Sequence, residues 1–313
     1  MRDEIGGVPL PIVGAGQYTC RRRYITTCAW ALGAGLALVC APLPVVAQDR
    51  VIERHTFSEP EGKLLAFYSS AMAFSPAGLA PDESRLSFAL EVSHVPYLNR
   101  AQRRPSIDKP ESTNLAPFFP RPRLSARLGG WIAEVSWIPP MRVFDVEANL
   151  GSAAITGPSL RVGTLRVAPR AWTTFGRVRG AMTCSTSEML GKGPDLELYY
   201  ATVCHGNESD DWFEPRLFGG ELLASKTLGS GGARAYAILG ARADRTRFDI
   251  GVLTSTGARD ADHPILQLRT VRPHAAVGAS WRVRRGVFAG GEVFYAPGSL
   301  VTGRVSGRWV IRQ

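Results

Sequence analysis

Three groups of side chains in this sequence have types and spacings that chemistry could use. The first is Cys184 and Cys204 with the acids between and beside them, Asp195, Glu197, Glu208, Asp210 and Asp211, close to His205. Crowded carboxylates are hard-cation ligands, but no EF-hand or repeat spacing is present, so the stretch reads as a solvated acidic loop. In an oxidising compartment the two cysteines are expected to pair, which contributes about 3 kcal/mol by closing the loop. The second group is the histidines. His94 lies at the end of an alternating segment with no serine tied to it by a G-x-S-x-G elbow, and His55, His263 and His274 have no metal-ligand spacing. HExxH, CxxC, Walker and Rossmann patterns are absent, and Gly14-Ala15-Gly16 falls in the leader. These residues predict no enzyme, no metal and no cofactor. The third group is the arginines. Arg177 and Arg179, Arg282 and Arg284, and Arg304 and Arg308 share the face of small polar residues within alternating segments. Their expected counter-charges are Glu91, Asp145, Glu147 and Glu292.

The position of those arginines depends on where the chain resides. Of 37 Lys and Arg residues against 27 Asp and Glu, only Lys63, Lys109, Lys192 and Lys226 are lysine. A net charge of +10 carried by arginine first suggests nucleic acid. The N-terminus argues otherwise. Arg21-Arg22-Arg23, an apolar run from Tyr24 to Cys40, Pro42 and Pro44, then Ala47, have the order of a secretory signal peptide cleaved after Ala47. The run is short for a transmembrane helix, which needs about twenty apolar residues. Export removes nucleic acid as a partner. It also takes Cys20, Cys28 and Cys40 with the leader, along with four arginines and two acids.

The exported chain alternates with period two. Leu86, Phe88, Leu90 and Val92 interleave with Ser87, Ala89, Glu91 and Ser93. Phe144, Val146, Ala148 and Leu150 interleave with Asp145, Glu147 and Asn149. Similar patterns cover 275–283 and 301–311, and weaker ones 123–137, 158–168, 171–183, 214–228, 233–243, 246–254, 264–271 and 286–296. Turn chemistry separates them at Pro139-Pro140, Gly157-Pro158, Pro169, 229–232, 284–286 and Pro297-Gly298. Many of the segments are about ten residues, the length of a tilted strand crossing a bilayer.

Three features favour a membrane barrel over a soluble sandwich. The long connections 96–122 and 184–213 follow the first and fifth strands, so both fall on one side, where long loops belong. Trp137, Phe144, Trp172, Trp281 and Trp309 fall near the opposite strand ends, as an interfacial aromatic girdle would. A charge facing lipid at mid-bilayer costs about 2–4 kcal/mol, which sends Arg177, Arg179, Arg282, Arg284, Arg304 and Arg308 to the lumen. The expected fold is all-β: an antiparallel transmembrane β-barrel of about twelve strands, in a range of ten to fourteen. The expected organisation is a signal peptide (1–47), an N-terminal periplasmic or plug segment (48–85) and the barrel (86–313).

Residues 64–74 have the apolar spacing of a short helix, stopped by Pro76. The run Ala73-Phe74-Ser75-Pro76-Ala77-Gly78-Leu79, leading into the first strand, resembles the N-terminal segment of outer-membrane proteins of the FadL/OmpP1 type. That resemblance implies a barrel plugged by its N-terminal segment, with Pro76, Ala77, Gly78 and Leu79 forming the plug turn, and transport of hydrophobic small molecules. Ser75 stands where the family pattern has Asn, and the chain ends Trp309-Val-Ile-Arg-Gln rather than on an aromatic residue. The expectation is an outer-membrane barrel for passive passage or binding of a small hydrophobic or anionic molecule. The alternatives are a structural or surface-interaction barrel with a blocked lumen, and a soluble periplasmic β-sandwich that binds a ligand. Its expected partners are outer-membrane lipid, lipopolysaccharide and the barrel-assembly machinery.

Overall fold

The computed structural model describes residues 50–80, 84–99, 102–103, 117–143, 146–229 and 232–312. The expected leader with its cleavage after Ala47, and both Phe144 and Asp145, lie outside the described residues. The elements in chain order are β1 (Ile52–His55), α1 (Pro60–Ala71), β2 (Leu86–His94), β3 (Phe118–Leu128), β4 (Trp131–Val143), β5 (Val146–Thr156), β6 (Leu160–Val162), β7 (Leu165–Gly180), α2 (Thr186–Met189), α3 (Pro194–Thr202), β8 (Asp211–Glu214), β9 (Arg216–Leu228), β10 (Ala233–Asp249), β11 (Ile265–Arg284), β12 (Val287–Ala296) and β13 (Leu300–Arg312). Ten strands, β2–β3–β4–β5–β7–β9–β10–β11–β12–β13, pair antiparallel in sequence, and β13 closes on β2 through Arg304↔Ser93 to Arg312↔Leu86. Among the described residues no helix is long and apolar enough to cross a membrane.

Ten barrel strands rather than about twelve follow from identifiable misreadings. The segment 123–137 is a hairpin turned at Gly129-Gly130, where Gly129 has φ +61°. The paired segments 233–243 and 246–254 are one strand, β10, and 264–271 and 275–283 are one strand, β11. Pro169 and Pro273 do not end strands. Each sits within a long one on the outward face. Segment 158–168 contributes only the short β6, hairpinned onto the start of β7. At the other end of the wall β8 pairs with the ends of β7 and β10 and continues the line of β9 across Pro215.

The loop asymmetry holds. The strand ends that bound 95–117, 181–210 and 250–264 lie at one mouth, and the turns at 129–130 and 285–286 lie at the other, with the adjoining ends of β9 and β10. Outward residues form an exposed apolar belt, with Leu124, Val135, Phe175, Leu222, Leu239, Val277 and Val305 at mid-strand. Trp131, Trp281 and Trp309 stand exposed near the short-turn rim. A soluble barrel would not leave such a belt in water.

The N-terminal segment threads this barrel from mouth to mouth. β1 lies parallel to the first residues of β11 at the long-loop mouth, Ile52↔Ile265 to His55↔Leu268. There Arg50 pairs with Asp249 and donates to the carbonyls of Ile250 (2.7 Å) and His263 (2.8 Å). Helix α1 then enters the lumen, with Pro60 in its first turn and Glu61 favoured there by the positive helix end. The helix starts four residues and ends three residues earlier than the 64–74 read from spacing. Its buried Ser69 and Ser70 hydroxyls donate back to the carbonyls of Leu65 (2.7 Å) and Ala66 (2.6 Å), which lets polar side chains sit in the core. Residues 72–80 continue down the lumen, and Arg85 joins the short-turn rim through its N–H to the Arg312 carbonyl (2.9 Å).

Candidate functional site

The lumen is filled, and arginine fills it. The backbone after α1 exposes carbonyls with no helical partner, and buried guanidinium groups take them one after another. Arg121 donates to Met72 O (3.0 Å) and Ala73 O (3.1 Å), and Arg304 to Ala73 O (2.9 Å). Arg170 donates to Phe74 O (2.9 Å), and Arg123 to Ser75 O (2.6 Å) and Pro76 O (3.0 Å). Arg308 reaches Gly78 O (3.2 Å), and Arg234 reaches Ala80 O (3.2 Å). The Phe74 ring sits among the guanidinium groups of Arg123, Arg121 and Arg170, at 4.1, 5.3 and 5.5 Å from its centroid. Such contacts are worth about 2 kcal/mol when desolvated.

Buried carboxylates balance the charge. Glu91 pairs with Arg123, and Glu221 accepts from Arg170 (2.5 Å), His274 Nε2 (2.8 Å) and Trp172 Nε1 (3.1 Å). Glu292 accepts from the Ala77 N–H (2.9 Å), the Tyr236 hydroxyl (2.8 Å) and the Ser75 hydroxyl. Pro76, Ala77, Gly78 and Leu79 lie in the lumen, with a bend at Ala77 and Gly78. Ala77 (φ +48°) and Gly78 (φ +105°) adopt left-handed conformations there, and the Gly78 N–H donates to the Tyr236 hydroxyl (2.8 Å).

The sequence-level candidates divide. Glu91, Arg304 and Arg308 are buried in the lumen. Arg282 keeps the inward phase but stands exposed at the short-turn mouth beside Phe288, and Arg284 is exposed past a bulge. Arg177, Arg179 and Glu147 correct the expectation, because all three lie on the outer wall at the long-loop rim. Arg177 pairs with Glu214 (2.6 Å) and Arg179 with Asp210 (2.5 Å), both stacked on Trp212, while Glu147 is the cross-strand neighbour of Arg179. Trp172 is corrected in the opposite sense. It is 4% exposed and points inward, over Gly219 on the next strand, with its N–H satisfied by Glu221. A Cβ on Gly219 would lie 2.1 Å from the indole, so the glycine makes the space. Trp137 is exposed but mid-strand, its N–H on Asn149 (3.2 Å). Of the four that are described, Trp281 and Trp309 stand at the short-turn rim.

The physical reason is the plug. Around α1 the lumen is apolar, so Val146, Ala148, Leu150 and Val178 turn inward to pack on it. The polar residues between them then face out. Sequence reasoning missed Arg121, Arg123, Arg170 and Arg242 as lumen residues. Pro120 and Pro122 obscure the alternation around the first two, and the inverted phase of β7 hides the third.

A cavity of about 310 Å³ remains beside α1 under the long-loop mouth. Tyr68, Ala71 and Met72 form its inner side, Ile138, Val146, Ala148 and Phe213 its wall, and among the described residues no charged side chain lines it. Leu90, Pro120 and Pro122, which have the outward phase, also line it, so the cavity passes through the wall. The opening lies where β3 and β4 part. Their register runs from Leu128↔Trp131 to Arg123↔Ser136 and stops, leaving 118–122 and 137–143 unpaired with each other. Pro120, Pro122, Pro139 and Pro140 occupy these stretches, and a proline has no N–H for a ladder.

Above the mouth, Cys184 and Cys204 form the expected disulfide and pack with Met189, Tyr200 and Val252 in a small core of their own. The acids of this loop serve as acceptors. Buried Asp211 takes the N–H of Thr183 (2.5 Å) and Gly251 (2.7 Å) and the Ser209 hydroxyl (2.6 Å), and Glu197 takes the Gly191 N–H (3.0 Å). At the N-terminal end His55 Nδ1 lies 2.9 Å from Glu59 and 3.6 Å from Glu61, a proximity that spacing did not suggest. The Thr56 N–H and His55 hold the Glu59 carboxyl below its ordinary range. His94 faces outward, edge-on to Phe118 at 6.0 Å.

No family model and no curated protein matches this chain. Among solved structures it is similar to the NanC porin, at 8% identity over 72% of this chain and 100% of that one, with a TM-score of 0.31. It is similar to the Pseudomonas putida toluene transporter TodX, at 9% identity over 78% and 72%, with a TM-score of 0.29. For the KdgM porin the values are 9%, 71%, 98% and 0.25. Overlaps this low carry no argument about cargo or mechanism, and none confirms the FadL/OmpP1 resemblance of residues 64–95.

Proposed function

We propose that the protein is an outer-membrane barrel, permanently plugged by residues 60–80, that binds a small hydrophobic molecule in the apolar cavity at its long-loop mouth. The observation that carries this reading is the continuity of the uncharged cavity with the unpaired β3–β4 stretch of wall. An apolar molecule dissolved in the outer leaflet reaches the cavity through that gap without crossing water. The exposed apolar belt with tryptophans at one rim supports the membrane placement. The buried arginines oppose an open pore, because withdrawing the plug strips each of its carbonyl acceptors inside a low-dielectric lumen. The anionic cargo suggested by net charge loses its support, since the lumen arginines are already engaged.

The test has two arms. The barrel reconstituted in planar bilayers is expected to show no stepwise ion conductance. In nanodiscs it is expected to bind N-phenyl-1-naphthylamine saturably, at one molecule per barrel. Sustained single-channel conductance, or uptake of the dye that never saturates, overturns the proposal.

A further inference from the structure

The outer wall near the long-loop mouth holds a second set of arginines that the plug does not use. Arg245 on β10 and Arg269 on β11 are direct cross-strand partners, both exposed and both on the outward face. On the other side of β10 the register ends at Leu217↔Asp244, so Arg216, the first residue of β9, stands beside Arg245. Three guanidinium groups therefore occupy one row on adjacent strands, which lie about 4.8 Å apart. One step nearer the mouth Arg247 sits opposite Glu214, whose carboxylate is paired with Arg177. The side chains of Arg216, Arg245, Arg247 and Arg269 form no hydrogen bond or ion pair with another described residue.

Like charges directly opposite on a sheet destabilise it, and a lipid-facing arginine is tolerated only near the interface. An unpaired row of three therefore calls for an external anion at the level of the headgroups. Toward mid-barrel the same wall becomes smooth and apolar, through Phe218, Ala243 and Val271 to Gly220 and Ala241. The combination is a strip of guanidinium donors above a trough for hydrocarbon. Arginine matches phosphate bidentately, and its fork geometry favours a phosphate monoester over a diffuse negative surface.

We propose that Arg216, Arg245 and Arg269 form a binding site on the lipid-facing wall for the phosphorylated headgroup of lipopolysaccharide, with its acyl chains laid along the Phe218–Val271 trough. This rests on the reading of the chain as an outer-membrane barrel with its long loops outward, since lipopolysaccharide occupies the outer leaflet. The site is separate from the apolar cavity, which opens between β3 and β4.

The experiment uses the full mature barrel in detergent, titrated with lipopolysaccharide bearing bisphosphorylated lipid A and read by native mass spectrometry and thermal unfolding. The wild-type barrel is expected to retain lipopolysaccharide and gain thermal stability. Combined Arg216→Gln, Arg245→Gln and Arg269→Gln is expected to weaken binding at least tenfold while keeping the heat-modifiable folded band, and the corresponding lysine triple, which keeps the charge without the fork, to bind more weakly than wild type and more tightly than the glutamine triple. If the glutamine triple does not fold, single Arg245→Gln and the salt dependence of wild-type binding replace it, with binding expected to weaken as salt rises. Unchanged binding by the glutamine variants overturns the site. So does equal protection by phosphatidylglycerol, by dephosphorylated lipid A or by inorganic phosphate. Recovery of the chain outside the outer membrane on cell fractionation would instead defeat the localisation on which the proposal rests, and detergent binding is measured independently of it.

Discussion

Ala148 offers a direct test of the cavity. It lies on β5, packs against the apolar cluster that includes α1 and lines the 310 Å³ cavity. A dry apolar cavity of about 150 Å³ is enough to hold benzene, so this one holds about two benzene-sized units. Ala148→Phe adds one phenyl group and removes about half of the space. A ligand that fills the cavity then loses about one aromatic ring of burial, worth about 2–3 kcal/mol. At about 1.4 kcal/mol per decade the affinity falls roughly thirty- to hundredfold. The assay is fluorescence titration with N-phenyl-1-naphthylamine in nanodiscs, on variants that keep the folded band. Val277→Phe, on the exposed outer wall, is the size-matched control and should bind as wild type. The reasoning fails if Ala148→Phe binds with unchanged affinity. It fails equally if Val277→Phe weakens binding to the same degree, because the dye then sits on the lipid-facing surface.

Three other outcomes follow from the geometry. Glu91→Gln leaves Arg123 and Arg304 buried with a lost counter-charge and should destabilise the barrel by about 3–5 kcal/mol, read as a lower unfolding midpoint in detergent; a loss under about 1 kcal/mol would contradict the plug clamp. Paired Cys184→Ser and Cys204→Ser, separated by 20 residues, should cost the outer loop about 3 kcal/mol of local stability. Protease should then cut within 185–203 while the barrel band persists; resistance equal to wild type counts against this. The Glu59 carboxyl is held below its ordinary value of 4.5, so the stability it gives through Thr56 and His55 is complete above that pH and lost as pH falls through the lower native value. Limited proteolysis of 50–59 should rise only in that acid range, and Glu59→Gln should be cut at every pH; a wild-type profile flat with pH would refute the role of these contacts.

The outward faces of β2 and β13 were legible because one side is plainly apolar and the other small or charged. Glu91, Arg304 and Arg308 fell into place with them. β5 and β7 were not legible in the same way. Their upper halves face the apolar flank of α1 inside and the headgroup zone outside, so polarity inverts along a single strand and Arg177, Arg179, Glu147 and Trp172 exchange sides. Pro120, Pro122, Pro139 and Pro140 read as punctuation, whereas they break the ladder between two strands that continue past them. Residues 72–80 announced a turn but not its role, because their main interactions are backbone carbonyls, which every sequence possesses.

The sequence by itself determined the alternation, the sidedness of the long loops, the cysteine pair and the presence of a helix ahead of the first strand. These are local properties of residue type and spacing. Only the tertiary structure decided which face of each strand meets the lumen, because a period-two pattern has two phases and the contents of the lumen choose between them. It likewise divided one excess of arginine into two populations: a buried set neutralised by the plug's carbonyls and by Glu91, Glu221 and Glu292, and a rim set left facing the membrane. Net charge is a sum over the chain and carries no position. Where each charge sits depends on which desolvation cost its surroundings can offset.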